Sequence, residues 1–232
     1  MESTKNYNLM IKDEKAMSFT ELTSSEKLNH QRAYELISVD LLEIFTYIEP
    51  HCSNGNAYGH QIYQLYLRIC TEFEAACRLA LRRLGEVKRK KKNGDEIDWK
   101  ISDYAKLNKA GGCWDRSSCQ LTPTGSLADY QFVFLEWCEK ITPLHSFSHE
   151  SSKSPKFYQS YNSVKHDRLE NFKEANLNNL LNAFSALVAV LDWQGISVDH
   201  NVLANCSNEV ITGSKFGYFF INTDEIKSRV YI

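Results

Sequence analysis

From Leu169 to Trp193 the apolar residues Phe172, Leu177, Leu180, Leu181, Phe184, Leu187, Val188 and Leu191 recur three or four apart, with Asn176 in the same series and Gly195 just beyond. That spacing predicts a long amphipathic helix ended by a glycine cap. A helix with so wide an apolar stripe needs other helices to cover it, because most helical stability in water comes from packing. The chain offers three further candidates. Between Gly59 and Leu84, Ile62, Leu65, Tyr66, Ile69, Phe73, Ala76, Cys77 and Ala80 form a similar stripe that stops at Gly85. At 1.5 Å per residue this segment spans about 39 Å. Thr23-Ser24-Ser25-Glu26 has the form of a capping box, and Ala33, Leu36, Ile37, Leu41, Ile44, Phe45 and Ile48 follow it at helical spacing up to Pro50. Ser126 and Asp129 open a fourth segment, with Leu127, Tyr130, Phe134, Cys138 and Ile141 on one face and Pro143 after it. The expected fold is all-α, an antiparallel bundle of four main helices.

That bundle is expected to occupy residues 23–195. Residues 1–22 are polar and aperiodic and read as an N-terminal arm, and residues 196–232 read as an appendage packed on the bundle. Within the appendage, the aromatic run Lys215-Phe216-Gly217-Tyr218-Phe219-Phe220-Ile221 suggests a short strand pair. Residues 108–125 and His145 to Pro155 read as loops. Seven positive residues lie between Arg82 and Lys92, but Asn93-Gly94 follows as a two-residue hairpin turn. Folding about it would set Lys92, Lys91 and Arg89 opposite Asp95, Glu96 and Asp98, so the run reads as a charge-paired surface hairpin.

A net charge of -2 excludes a globally polybasic nucleic-acid binder while leaving room for a local basic patch. No stretch approaches the roughly 20 apolar residues of a membrane helix, and the first residues lack the apolar core of a signal peptide. The expected location is therefore the cytoplasm. Seven cysteines without a Cys-x-x-Cys pair predict reduced core thiols and no disulfide framework, with Cys70, Cys77 and Cys138 at core positions. His145 and His149 could join Cys113 and Cys119 around zinc, but the spacing matches no standard zinc module, and neither a metal nor a cofactor is expected. Phosphate loops, nucleophile elbows, kinase motifs and dinucleotide fingerprints are missing from the sequence.

The residues that read as chemistry lie in Tyr158-Gln159-Ser160-Tyr161-Asn162-Ser163-Val164-Lys165-His166-Asp167-Arg168. On a helix Asn162 and His166 share a face at i and i+4, with Lys165 beside them and Arg168 close by. A histidine exchanges protons near neutral pH, and adjacent cations suit a phosphate. The competing reading is a polar cluster that fixes the start of the last helix, with Asp167 as its N-cap.

Four helices with Asn-x-x-x-His just before the last one resemble the HEPN superfamily of prokaryotic defence and toxin systems. Many members carry Arg-Asn-x-x-x-His near the last core helix, and the ribonucleases among them cut RNA without a metal, in a cleft formed by two protomers. The resemblance implies His166 as the catalytic histidine, Asn162 as its orienting partner, Lys165 and Arg168 as phosphate contacts, and a homodimer. Tyr161 stands where the family has its arginine, and degenerate members lacking that arginine act as dimerisation or binding modules. Tyr161 is placed with the substrate contacts, together with Arg78 and Glu72 from the second helix. The function implied is that of a bacterial defence or stress protein with metal-independent endoribonuclease activity, or a non-catalytic module that binds RNA or a cognate partner protein.

Overall fold

The computed structural model describes residues 20–109, 113–115, 120–122, 126–134, 137, 140–148, 154–196, 198 and 220–221. Helix dominates them, as the all-α reading requires. The long elements are α1 (Ser24–Phe45), α2 (His60–Arg83), α5 (Lys156–His166) and α7 (Leu177–Trp193). Between α2 and α5 lie the single-turn helices α3 (Ile101–Tyr104) and α4 (Lys106–Lys109) and the strands β1 (Cys113–Asp115), β2 (Gln120–Thr122) and β3 (Phe132–Val133). The short α6 (Arg168–Asn171) joins α5 to α7, and β4 (Phe220–Ile221) pairs antiparallel with β3.

Local chemistry sets the helix ends. At the start of α1, Glu26 N–H donates to Thr23 Oγ1 (3.2 Å) and Thr23 N–H donates to Glu26 Oε2 (3.1 Å), closing the capping box read from the sequence. Asn176 caps α7 by accepting from Asn179 N–H at 3.0 Å, and Gly195 at φ 72° ends it in the left-handed conformation. Fourteen of the 17 residues of α7 are buried, so this helix is the centre of the core.

Helices α2 and α7 run parallel and are fastened at both ends. Leu177 N–H donates to Ala57 O (2.9 Å) at one end, and at the other Arg83 Nη1 donates to Gln194 O (3.0 Å) while Gln194 Nε2 donates to Ala76 O (3.1 Å). Burial pushes the Arg83 guanidinium down to about 10. Helix α1 runs antiparallel to α2, tied by Arg68 to Asp40 at 2.6 Å and by Thr20 N–H to Arg83 O at 3.0 Å. Helix α5 also runs antiparallel to α2, on the opposite face, with Phe157 edge-on to Phe73 at 5.6 Å. No helix among the described residues is long and apolar enough to cross a membrane.

Five expectations change. Cys113–Asp115 and Gln120–Thr122, within a stretch read as a loop, pair as antiparallel strands. The helix expected from Ser126 to Ile141 does not form: after a turn at Leu127–Asp129 the chain is extended, and Phe132 and Ile141 exchange backbone hydrogen bonds of 2.9 and 2.8 Å. Tyr130, Phe132 and Phe134 are all buried, an alternation of period two that competes with the helical spacing and wins. The fourth long helix is instead α5. The last helix is also shorter than its apolar pattern, because Asp167 caps α6 and Asn176 caps α7, two residue types that favour helix starts over helix interiors.

The charged hairpin forms with a three-residue loop, Lys92-Asn93-Gly94, in which Gly94 takes φ 89°. That slips the register by one residue from the two-residue turn expected. Lys91 N–H now meets Asp95 O, Lys90 faces Glu96, and the ion pairs become Lys88 with Asp98 (2.7 Å) and Arg89 with Asp103 (3.0 Å). Cys70 and Cys77 are free and buried, but Cys52 is disulfide-bonded, against the expectation of reduced thiols throughout. Cys138, His149, Cys119, the first 19 residues and most of the tail after Val198 lie outside the described residues.

Candidate functional site

Helix α5 carries the motif, and its two sides differ. Phe157, Tyr158, Tyr161 and Val164 are buried against α2 and α7, whereas Lys165 and His166 are exposed and Asn162 is half-buried. The side chains of Asn162 and His166 hydrogen-bond to no described residue. The buried polar cluster proposed for them as a purely structural role is therefore not what they form. Asp167 does serve as an N-cap, accepting from Glu170 N–H at 3.3 Å, and Asn171 Nδ2 donates to Asp167 O at 2.9 Å. These bonds fix the turn that presents His166 and Arg168.

The two cations are seated on aromatic rings. Lys165 Nζ lies 5.2 Å from the centroid of Tyr161, and the Arg168 guanidinium carbon lies 5.8 Å from that of Tyr63 on α2. Neither forms an ion pair with a described carboxylate, although Asp167 and Glu170 stand in the same turn, so the patch is not uniformly basic. Tyr161, expected among the substrate contacts, is 3% exposed and packs on Tyr66 and Tyr158. An arginine there would be buried, and the tyrosine's part is to support Lys165.

Arg78 and Glu72 are not brought to this turn. Glu72 faces His30 on α1, across α2 from α5. Arg78 donates to Glu74 at 2.9 Å and bonds Tyr104, near the opposite end of α5. The Glu74/Arg78 pair is not a solvated face: Glu74 is buried and accepts from Tyr158 Oη at 2.7 Å. Burial first, then the Glu74 carboxylate, raises the Tyr158 phenol well above its usual range. The only sequence signal for this cluster was the tyrosine spacing in the motif, since its contacts join residues 84 positions apart.

Beside Arg168, Phe172 gathers His60 (5.0 Å), Tyr63 (5.6 Å) and Tyr58 (5.8 Å), a set the sequence reading missed by assigning Phe172 to the last helix. The adjoining cavity of about 200 Å³ is walled by Tyr47, Tyr58 and His60 and does not reach His166. Among the described residues no three His, Cys, Asp or Glu side chains are placed to share a metal. The arrangement offers an exposed imidazole, two cations and a carboxamide on one outward turn, able to contact an anion and to exchange a proton. No protein-family model matches the chain, and no match occurs among curated proteins or solved structures.

Proposed function

We propose that this is a HEPN-like helical-bundle protein of a bacterial defence or stress system that contacts RNA through the turn after α5 and cleaves it without a metal. The observation that supports the reading is the exposure of His166 with Lys165 and Arg168 beside it and no described group competing for its ring. In the reaction His166 takes the proton of a ribose 2'-hydroxyl as that oxygen attacks the adjacent phosphorus. The 5'-oxygen leaves and takes a proton from solvent water, producing a 2',3'-cyclic phosphate and a free 5'-hydroxyl. Lys165 and Arg168 hold the phosphate oxygens, and Asn162, one turn back on the same face, orients the imidazole.

A second reading, a non-catalytic binding or dimerisation module, is favoured by one observation: the position of the family's arginine is a buried tyrosine. Incubating a mixed RNA pool with the protein and its His166→Ala variant in excess EDTA separates the two. The ribonuclease reading predicts cleavage by the parent alone, with cyclic-phosphate ends. RNA binding without cleavage by both proteins would establish the module instead, and neither binding nor cleavage would remove RNA from the account.

A further inference from the structure

Where α1 ends and α2 begins, the protein keeps aromatic rings at its surface. Tyr47, on the turn after α1, is 76% exposed, and Tyr58, just before α2, is 47% exposed. Both line the cavity of about 200 Å³, together with Ile44, Ile48 and Ile62. Pockets for drug-sized ligands begin at about 300 Å³, so this one suits a single flat ring. Polar groups stand at the same cavity without partners in the fold: the hydroxyls of both tyrosines, the His60 imidazole and the Gln61 carboxamide hydrogen-bond to no described residue. A carboxamide both donates and accepts, which matches the edge of a heterocyclic base.

Rings link this cavity to the turn after α5. Phe172 lies 5.0 Å from His60, 5.8 Å from Tyr58 and 5.6 Å from Tyr63, and Tyr63 carries the Arg168 guanidinium at 5.8 Å. A line of aromatic contacts therefore joins a cation that can hold a phosphate to a hollow that can hold a base. Cations along a backbone with aromatic faces for the bases are the means by which single-stranded nucleic acid is bound. The other side of the cavity is unsuited to phosphate. Past Ile44 and Gln61 stand the carboxylates of Asp40 and Glu43; Arg68 pairs with the first at 2.6 Å, and Glu43 pairs with no described cation. Like charge there turns a strand's backbone toward Arg168. Bases paired in a helix keep their faces stacked on one another and do not reach such a hollow.

We infer that the cavity between Tyr47 and Tyr58 receives one unpaired base of an RNA strand whose backbone is held at Arg168. The inference rests on the reading of the His166 turn as an RNA contact, and it adds the substrate class, single-stranded rather than duplex RNA. It also gives a role in positioning the strand to an aromatic cluster that the cleavage step does not use.

Titrating the full chain with one labelled RNA oligonucleotide, as a single strand and as a duplex, tests it; the His166→Ala background keeps the RNA intact. The duplex is expected to bind at least about tenfold more weakly than the strand. Tyr47→Ala with Tyr58→Ala weakens the strand about five- to a hundredfold, the range for losing a stacked base. It leaves the slope of log K against log salt unchanged, because no phosphate contact is lost, whereas Arg168→Ala lowers that slope. Tyr47→Phe with Tyr58→Phe keeps both ring faces and restores binding. Unchanged melting shows that the variants fold, and Tyr47→Ala alone, at the more exposed position, weakens the strand in the same direction. Equal binding of strand and duplex overturns the base subsite. So does a strand indifferent to both tyrosines yet lost on replacing Lys165, His166 and Arg168 by alanine, a result that leaves the RNA reading standing. A protein that binds no RNA overturns both. Adenosine monophosphate bound as tightly as the strand, sensitive to the tyrosines but not to Arg168, would make the cavity a site for a free nucleotide and overturn the strand.

Discussion

The two ends of α5 carry polar residues put to opposite uses. At its N-terminal end Tyr158 donates to buried Glu74, which also holds Arg78, and the Phe157 carbonyl accepts from Tyr66 Oη. At its C-terminal end, about 12 Å further along at 1.5 Å per residue, the side chains of Lys165 and His166 are exposed and hydrogen-bond to no described residue. The first end is consumed in holding α5 to α2. The second is left over by the fold, and residues left over in this way are the ones available to a ligand.

This contrast breaks most readily at Phe157. Phe157→Ala empties a site packed against Phe73 and Tyr158, and denaturant unfolding should show a loss of about 3–5 kcal/mol. Glu74→Ala follows at about 1–3 kcal/mol, because it strands the buried Tyr158 hydroxyl and removes the carboxylate that Arg78 pairs with. Tyr158→Phe removes only the donor and should cost about 1 kcal/mol. A Glu74→Ala variant as stable as the parent would mean that the cluster does not hold the helix, and the distinction between the two ends would weaken.

The histidines repeat the contrast on a smaller scale. His30, on α1, is half-buried, and burial lowers its affinity for a proton below the usual value near 6.5. The unfolded chain then binds the proton more readily, so stability should fall as pH drops through 6.5 toward the folded-state value. His30→Gln should flatten that dependence between about pH 7.5 and 5. An unaltered slope in the variant would place the acid sensitivity elsewhere.

Much of the helical frame was legible from spacing alone. The capping box at Thr23, the stripe of α2 and the apolar run of α7 are each specified within one segment, and each forms. Spacing failed where two patterns overlapped, as at Tyr130, Phe132 and Phe134, which fit a strand as well as a helix. It failed again where one residue sets a register, as Gly94 does in the charged hairpin. The helical i and i+4 placement of Asn162 and His166 was readable from the motif. The burial of Tyr161 and the separation of Glu72 and Arg78 from His166 were not, because they depend on which face of α2 each neighbouring helix covers.

Comparing the parent with a triple variant, Lys165→Ala, His166→Ala and Arg168→Ala, in RNA binding and thermal melting tests the division of α5 most directly. The account predicts melting within the small range of surface substitutions, together with RNA binding that is lost or greatly weakened and that in the parent declines with salt. Unchanged RNA affinity would contradict the assignment of the site, and a large fall in melting temperature would show that this end of α5 is structural after all.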